Sequence, residues 1–489
     1  MARAAETRSD LPSRARQQRL DRAFNPRTVA VVGDKRAIAY MWLRSMSTFQ
    51  GKVYSVQIDP NEIPGIEALG VPIYPSLMDI PDEIDYVVCA VPRQVSPRIV
   101  ADCVEKGVGA VTLFTSGFAE TGTEEGTRLQ EEIAEMARRA ELLLIGPNCM
   151  GIYNRRMGVR NSWEQATGEG GNVGLISQSG THCINFSLVG ERHGIRCSKA
   201  VSFGNAVVLD AADYLEYLAE DDETEIIGMY LEGAKDNRRL FRALRETTRK
   251  KPVVMWKGGV TEAGARAIYS HTAALATAPA VWDGAMRQAG VVQTESLDET
   301  IDAVKALAYC APGTGYRVGL VAMTGGQSVV ITDAFEREGL EVPLLSEGSY
   351  EKLSEFFNII GGSYQNPLDS GGTIGMGFLP QNLQKLLDIL DEDENVDGIV
   401  MEVGIGFLAR RMRENPGILD ALLDTLAAHR KRSRKPLIAI AHPGHLEDVT
   451  AMVRSRLLER NIPPFGSFEA GAKALRRAID YWRFREGMA

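Results

Sequence analysis

Three segments of this chain repeat one pattern. "RTVAVVGDKR" begins at Arg27, "GNVGLISQSGT" at Gly171 and "YRVGLVAMTGGQS" at Tyr316, roughly 145 residues apart. Each runs from a β-branched apolar stretch through a Gly-containing loop into a helical pattern. That is the opening of a doubly wound α/β domain, and the spacing is near the usual domain length. The expected fold is therefore α/β, with three Rossmann/flavodoxin-like open parallel-sheet domains in tandem. The expected boundaries are 25–154, 155–310 and 316–489, with "APGTG" (311–315) as a linker and an Arg-rich flexible tail over 1–24.

The remaining segments agree. "KVYSVQI", "DYVVCAV", "GAVTLFTS" and "LLLIGPN" supply strands to the first block, "IIGMYLEG" and "PVVMWKGG" to the second, "VDGIVMEV" and "PLIAIAH" to the third. These runs are continuously apolar rather than alternating, which fits sheets covered by helices on both faces. Amphipathic stretches such as "TRLQEEIAEMARRA" and "LPQNLQKLLDILDED" lie between them.

Composition excludes several function classes. A chain of 489 residues is too long for one core. Its net charge of −9 gives no basic field for nucleic acid. No apolar run reaches the ~18 residues that span a bilayer, and the Arg-rich start has no apolar signal region. The six cysteines are scattered without a CxxC. They read as reduced, buried thiols of a cytoplasmic protein, and no metal site is expected.

In an open parallel sheet, ligands bind beyond the carboxyl ends of the strands. "LISQSGTHC" places Ser179, Gly180 and Thr181 at such an end, where a helix begins. The free N–H groups and dipole of a helix start favour an anion, although an ordinary N-cap reads the same locally. "YLEGAKD" places Glu232 after an apolar run, as an acid that orients an imidazole or as a helix-start acid. His271, in "AIYSHTAALA", stands among small residues in an expected loop with its nitrogens accessible. Imidazole nitrogen attacks phosphorus readily, and helix-start N–H groups stabilise a phosphoryl group. The set reads as a possible phosphohistidine site. "VVGDKRAIAYM" lacks GxGxxG, so the dinucleotide fingerprint fails, but Lys35 and Arg36 stand where a phosphate would sit. His442 and His445 form an HxxH pair in the third block.

These residues carry a family resemblance. "VSFGNAVVLDAADYLEYLAEDDETEIIGMYLEGAKD" and "KPVVMWKGGVTEAGARAIYSHTAALA" resemble the NDP-forming acyl-CoA synthetases, which include succinyl-CoA synthetase and ADP-forming acetyl-CoA synthetase. "GFAETG" (117–122), "GPNCMG" (146–151) and "NPLD" (366–369) extend the match. The resemblance implies a CoA-binding domain followed by two ligase-CoA domains. It implies that His271 is phosphorylated, that Glu232 holds it, and that Ser179, Gly180 and Thr181 receive the phosphoryl group. The phosphoryl group would pass to a carboxylic acid, and the CoA thiol would then attack the acyl phosphate. Gly117, Phe118, Asn148, Phe203, Gly204 and Asn205 would line the acid pocket. Gly33, Lys35, Arg36, Lys52, Pro92 and Glu120 would bind CoA.

Two departures from the family pattern shape the expected function. The chain carries no ATP-grasp segment, so ATP and Mg would be used through a separate β subunit, by analogy in an α2β2 assembly. The first loop is shorter and poorer in Gly, so Lys35 or Arg36 would replace backbone contacts to the CoA phosphates. The expected function is the α subunit of an NDP-forming acid–CoA ligase. A non-catalytic CoA- or acyl-CoA-sensing subunit is the alternative. A flavin or nicotinamide redox protein has Asp59 in its favour as a ribose-binding acid and the missing GxGxxG against it.

Overall fold

A computed structural model describes residues 13–272, 279–310, 315–375, 379–442 and 445–487. The chain forms two compact units, one of residues 1–191 and 195–297, the other of 192–194 and 298–489. The first unit contains two sheets and the second contains one.

The first sheet is wholly parallel. Its strands are β1 (Thr28–Val32), β2 (Lys52–Val56), β3 (Ile73–Tyr74), β4 (Tyr86–Cys89), β5 (Ala110–Leu113) and β6 (Leu143–Ile145). Their order, β3-β2-β1-β4-β5-β6, is the Rossmann order. Every residue of β1, β4, β5 and β6 is buried, as continuous apolar runs require of a sheet sandwiched between helices.

The second sheet contains β7 (Gly151–Asn154), β8 (Val173–Ser177), β9 (Cys197–Ser202), β10 (Ile226–Leu231), β11 (Val253–Lys257) and β12 (Val292–Thr294). Its order is β12-β11-β10-β8-β9-β7, and β7 joins the edge antiparallel to β9. The chain has therefore crossed into the second sheet by Gly151. Without β7 the order is that of flavodoxin, with its switch point between β8 and β10.

In the second unit, β13 (Val318–Ala322), β14 (Leu368–Asp369), β15 (Gly398–Glu402), β16 (Leu437–Ile440) and β17 (Pro464–Phe465) repeat the flavodoxin order, β14-β13-β15-β16-β17. Buried Glu402 accepts the Met323 N–H at 2.7 Å across that sheet's switch point.

The expected tail is corrected over residues 13–24. These form a helix, Ser13–Phe24, with Leu20, Ala23 and Phe24 fully buried. Their i, i+3, i+4 spacing makes one apolar stripe. Phe24 stacks on Tyr217 with ring centroids 4.8 Å apart, and Arg16 pairs with buried Asp213 at 2.9 Å. All six cysteines are buried and unpaired, and burial pushes the Cys89 thiol up to about 12. No helix among the described residues is long and apolar enough to cross a membrane.

Candidate active site

The second sheet's switch point brings together residues far apart in sequence. In register, Ser177 pairs with Tyr230 and Tyr230 with Trp256. The loop after β8, Glu232 after β10 and Gly258 after β11 are thus neighbours on one carboxyl edge. Gln178 ties them. Its side-chain oxygen accepts the Glu232 N–H at 2.7 Å and the Gly233 N–H at 3.1 Å. Lys257 Nζ donates to the Glu232 carbonyl at 2.8 Å, and burial holds this ammonium below the usual lysine range. Burial and the neighbouring Glu232 charge push the Tyr230 phenol up to about 12.

The helix Gly180–Arg192 starts at this edge, and Ser179 Oγ accepts the His182 N–H at 3.3 Å. The first-turn N–H groups have no intrahelical partner, so the edge presents donors beside a carboxylate. A Cβ on Gly180 would lie 2.6 Å from Met150 Cγ, so a larger residue here would have to displace the Met150 side chain. Thr181 is exposed.

His271 was expected in a loop. Its backbone is helical instead, the penultimate residue of the helix Glu262–Thr272. Its side chain lies outside the described residues, as do residues 273–278. The helix packs against the turn Ala119–Thr121, which carries Glu120.

A second cluster is built by three loops. Asn148 N–H donates to the Thr115 carbonyl at 3.0 Å, and Asn205 N–H donates to the Pro147 carbonyl at 3.0 Å. Gly204 adopts φ +49°, and a Cβ there would collide with the Pro147 and Asn148 carbonyl oxygens. Glu120 belongs to this cluster. Its carboxylate accepts the Gly117 N–H at 2.6 Å, the Phe118 N–H at 3.1 Å and the Asn205 amide at 2.6 Å. Phe118 and Phe203 are corrected as pocket walls. Both side chains are fully buried in the core, and Phe203 packs against Tyr214.

Of the expected CoA residues, Gly33 and Pro92 fall at the first sheet's switch point, after β1 and β4. A Cβ on Gly33 would meet Val91 Cγ1 at 2.6 Å. Lys35 and Arg36 are exposed there. Lys52 is corrected. It opens β2 opposite Thr28, at the amino ends of the strands, and pairs with Asp82 at 2.7 Å. The length of β1 puts it about 16 Å along the sheet from Gly33.

The residues missed in the sequence are those that hold others in place. Asp34, fully buried, accepts the Lys35 N–H at 3.0 Å and the Leu43 N–H at 2.9 Å. Glu62 accepts the Arg36 N–H at 2.8 Å and the Tyr40 hydroxyl at 2.9 Å. His182 packs against Tyr230 and Trp256, with centroids 4.4 and 4.5 Å away, and burial lowers its pKa. In the second unit, His442 and His445 line a cleft of about 580 Å³ with Thr324 and Glu402, and His442 meets the Phe468 ring edge-on. No group of three or more metal-ligating side chains occurs among the described residues.

Comparison with known proteins identifies the family. Residues 27–155 match a CoA-binding domain and 170–307 a succinyl-CoA ligase-like flavodoxin domain. The ADP-forming acetate–CoA ligase I of Archaeoglobus fulgidus is 35% identical over 77% of this chain, which spans 54% of that protein. The α subunit of ADP-forming acetate–CoA ligase II of Pyrococcus furiosus is 32% identical over 91% of this chain and 94% of its own length. An acetyl-coenzyme A synthetase 1 from Ca. Korarchaeum cryptofilum, solved with phosphate and ADP, superposes with a TM-score of 0.81 at 27% identity, covering 96% of this chain and 98% of that one. These relatives are ligases, not sensors. The chain belongs to the family of the ADP-forming acetate–CoA ligases and matches their α subunit over nearly its whole length.

Proposed function

We propose that this chain is the α subunit of an ADP-forming acid–CoA ligase. The reaction is carboxylic acid plus CoA plus ATP giving acyl-CoA, ADP and phosphate. One observation carries the reading: the helix start at Ser179–Gly180 and the Glu232 strand end share the β8–β10 switch point, bound through Gln178. Donors beside a carboxylate suit a phosphorylated imidazole, since the N–H groups meet the phosphoryl oxygens and the acid takes the ring's other N–H.

His271 supplies the imidazole in this reading. Its Nε2 or Nδ1 takes the γ-phosphoryl group of ATP and releases ADP. A carboxylate oxygen of the acid then attacks phosphorus and frees the histidine as acyl phosphate forms. The CoA thiolate attacks the acyl carbon and phosphate leaves. Positioning and charge stabilisation do most of the work in phosphoryl transfer. Lys35 and Arg36 meet the CoA phosphates, and Gly117, Asn148, Gly204 and Asn205 surround the acid through their loops. ATP and Mg are bound by an ATP-grasp β subunit, in an α2β2 complex.

The test is acid- and CoA-dependent ADP release by the chain assembled with its partner. Wild type turns over, and His271→Asn does not. Equal turnover by the variant would reject the phosphohistidine.

A further inference from the structure

The cluster around Glu120 has the donor pattern of a carboxylate site already filled from within. Three N–H donors, from Gly117, Phe118 and the Asn205 amide, converge on one carboxylate at 2.6–3.1 Å. Two adjacent backbone N–H groups and an amide are what a protein uses to bind a carboxylate or a developing oxyanion. The backbone bonds that close the turn do not involve the carboxylate. The Ala119–Thr121 turn is closed by its own backbone, with the Thr121 N–H on the Phe118 carbonyl and the Gly122 N–H on the Ala119 carbonyl.

A second observation points to a ligand. Asn205 is nine-tenths buried, and its Oδ1 has no hydrogen-bond partner, while its Nδ2 serves both Glu120 at 2.6 Å and Gln130 at 3.0 Å. A buried amide oxygen without a donor is destabilising. A ligand that brings a donor to this oxygen would satisfy it. The amide or thiol hydrogen of a pantetheine arm would do so.

The geometry points to Glu120 as an internal stand-in for the acid substrate. Its carboxylate occupies the donors of Gly117, Phe118 and Asn205 until the substrate carboxylate displaces it. The inference rests on the ligase reading for the identity of that carboxylate. It moves Glu120 from the CoA residues to the acid subsite, and makes it a positioning residue that sets acid affinity. The turn carrying Glu120 also packs against Glu262–Thr272, so the exchange takes place one element from the helix that bears His271.

The binding test uses the full chain and carbon-13-labelled formate, the smallest carboxylate, observed by NMR. Glu120→Ala vacates the donors and binds formate saturably. Wild type binds it tenfold or more weakly, because only the fraction with Glu120 displaced is competent. Asn205→Ala in the Glu120→Ala background loses the binding. Glu120→Gln, which preserves the side-chain shape but is a weaker acceptor, falls between and guards against misfolding of the alanine variant. Equal formate affinity in wild type and Glu120→Ala, or no binding by folded Glu120→Ala and Glu120→Gln, would overturn the stand-in.

A kinetic arm uses the assembled ligase with acetate. Glu120→Ala lowers the KM for acetate about tenfold and leaves the KM for CoA unchanged, whereas a purely structural or CoA-binding glutamate would raise the KM for CoA. An assembled wild type that forms no acyl-CoA from any acid would sink the ligase reading alone, since formate binding is read independently of turnover.

Discussion

Gln178 and Glu232, which follow neighbouring strands of the second sheet, are joined where the chain order reverses. The Gln178 amide oxygen accepts two successive backbone N–H groups, of Glu232 at 2.7 Å and Gly233 at 3.1 Å. It fixes the strand end from which the Glu232 carboxylate projects. Gln178→Ala strips both N–H groups of their acceptor, at about 1–3 kcal/mol each where water does not replace it. His271 phosphorylation should slow about tenfold or more while CoA affinity holds. Rapid-quench phosphorylation of the assembled enzyme checks this, and an unchanged rate would mean that Gln178 does not position the site.

The helix Ser13–Phe24 belongs to the core of the first unit. Phe24 is fully buried and stacked on Tyr217 at 4.8 Å. Phe24→Ala should therefore cost about 3–5 kcal/mol. Urea denaturation of the two chains measures it. A loss below about 1 kcal/mol would return this helix to the status of a tail.

Asp34 gives a pH signature. Burial raises its carboxyl from 3.8 to about 6. The folded state then holds a proton that the unfolded chain has released, so the stability from this group is full below 3.8 and is lost as pH rises through about 6. Between pH 4.5 and 7 the loss is roughly 2 kcal/mol. Asp34→Asn removes it, so the difference in stability between variant and wild type should shift by that amount, in favour of the variant at pH 7. A pH-independent difference would show that Asp34 ionises normally.

Gly204 is held against two carbonyl oxygens with φ +49°. Gly204→Ala should cost about 2–4 kcal/mol through backbone strain and the collision, and should open the 146–148 and 203–205 loops. Acid KM should rise more than CoA KM. Equal effects on both would place the acid elsewhere.

Most of the architecture was legible because continuous apolar runs mark buried parallel strands and the residue after each run marks a carboxyl end. That logic located Ser179, Gly180 and Glu232. Applied strictly, it also excludes Lys52, which precedes its run and so opens β2 at the far end of the sheet. The helix Ser13–Phe24 had a readable sign too, the spacing of Leu20, Ala23 and Phe24, obscured by the surrounding arginines. Other features were not local. Phe118 and Phe203 sit in Gly-containing loops that read as exposed, and only packing against neighbouring helices and strands buries them. Gln178, Glu62 and Glu120 act on N–H groups whose nearness depends on strand order or turn geometry. His271 looked like a loop residue because its small neighbours suggested an open turn, yet Ala, Tyr and Glu residues before it sustain a helix.

The proposed ligase chemistry turns on phosphate carried by His271. The direct measurement is the intact mass of this chain after incubation with its ATP-grasp partner and Mg-ATP, for wild type and His271→Ala. One acid-labile phosphoryl adduct is expected on wild type alone, discharged by a carboxylic acid plus CoA. An equal adduct on His271→Ala, or none on wild type in an assembled complex that binds ATP, would contradict it.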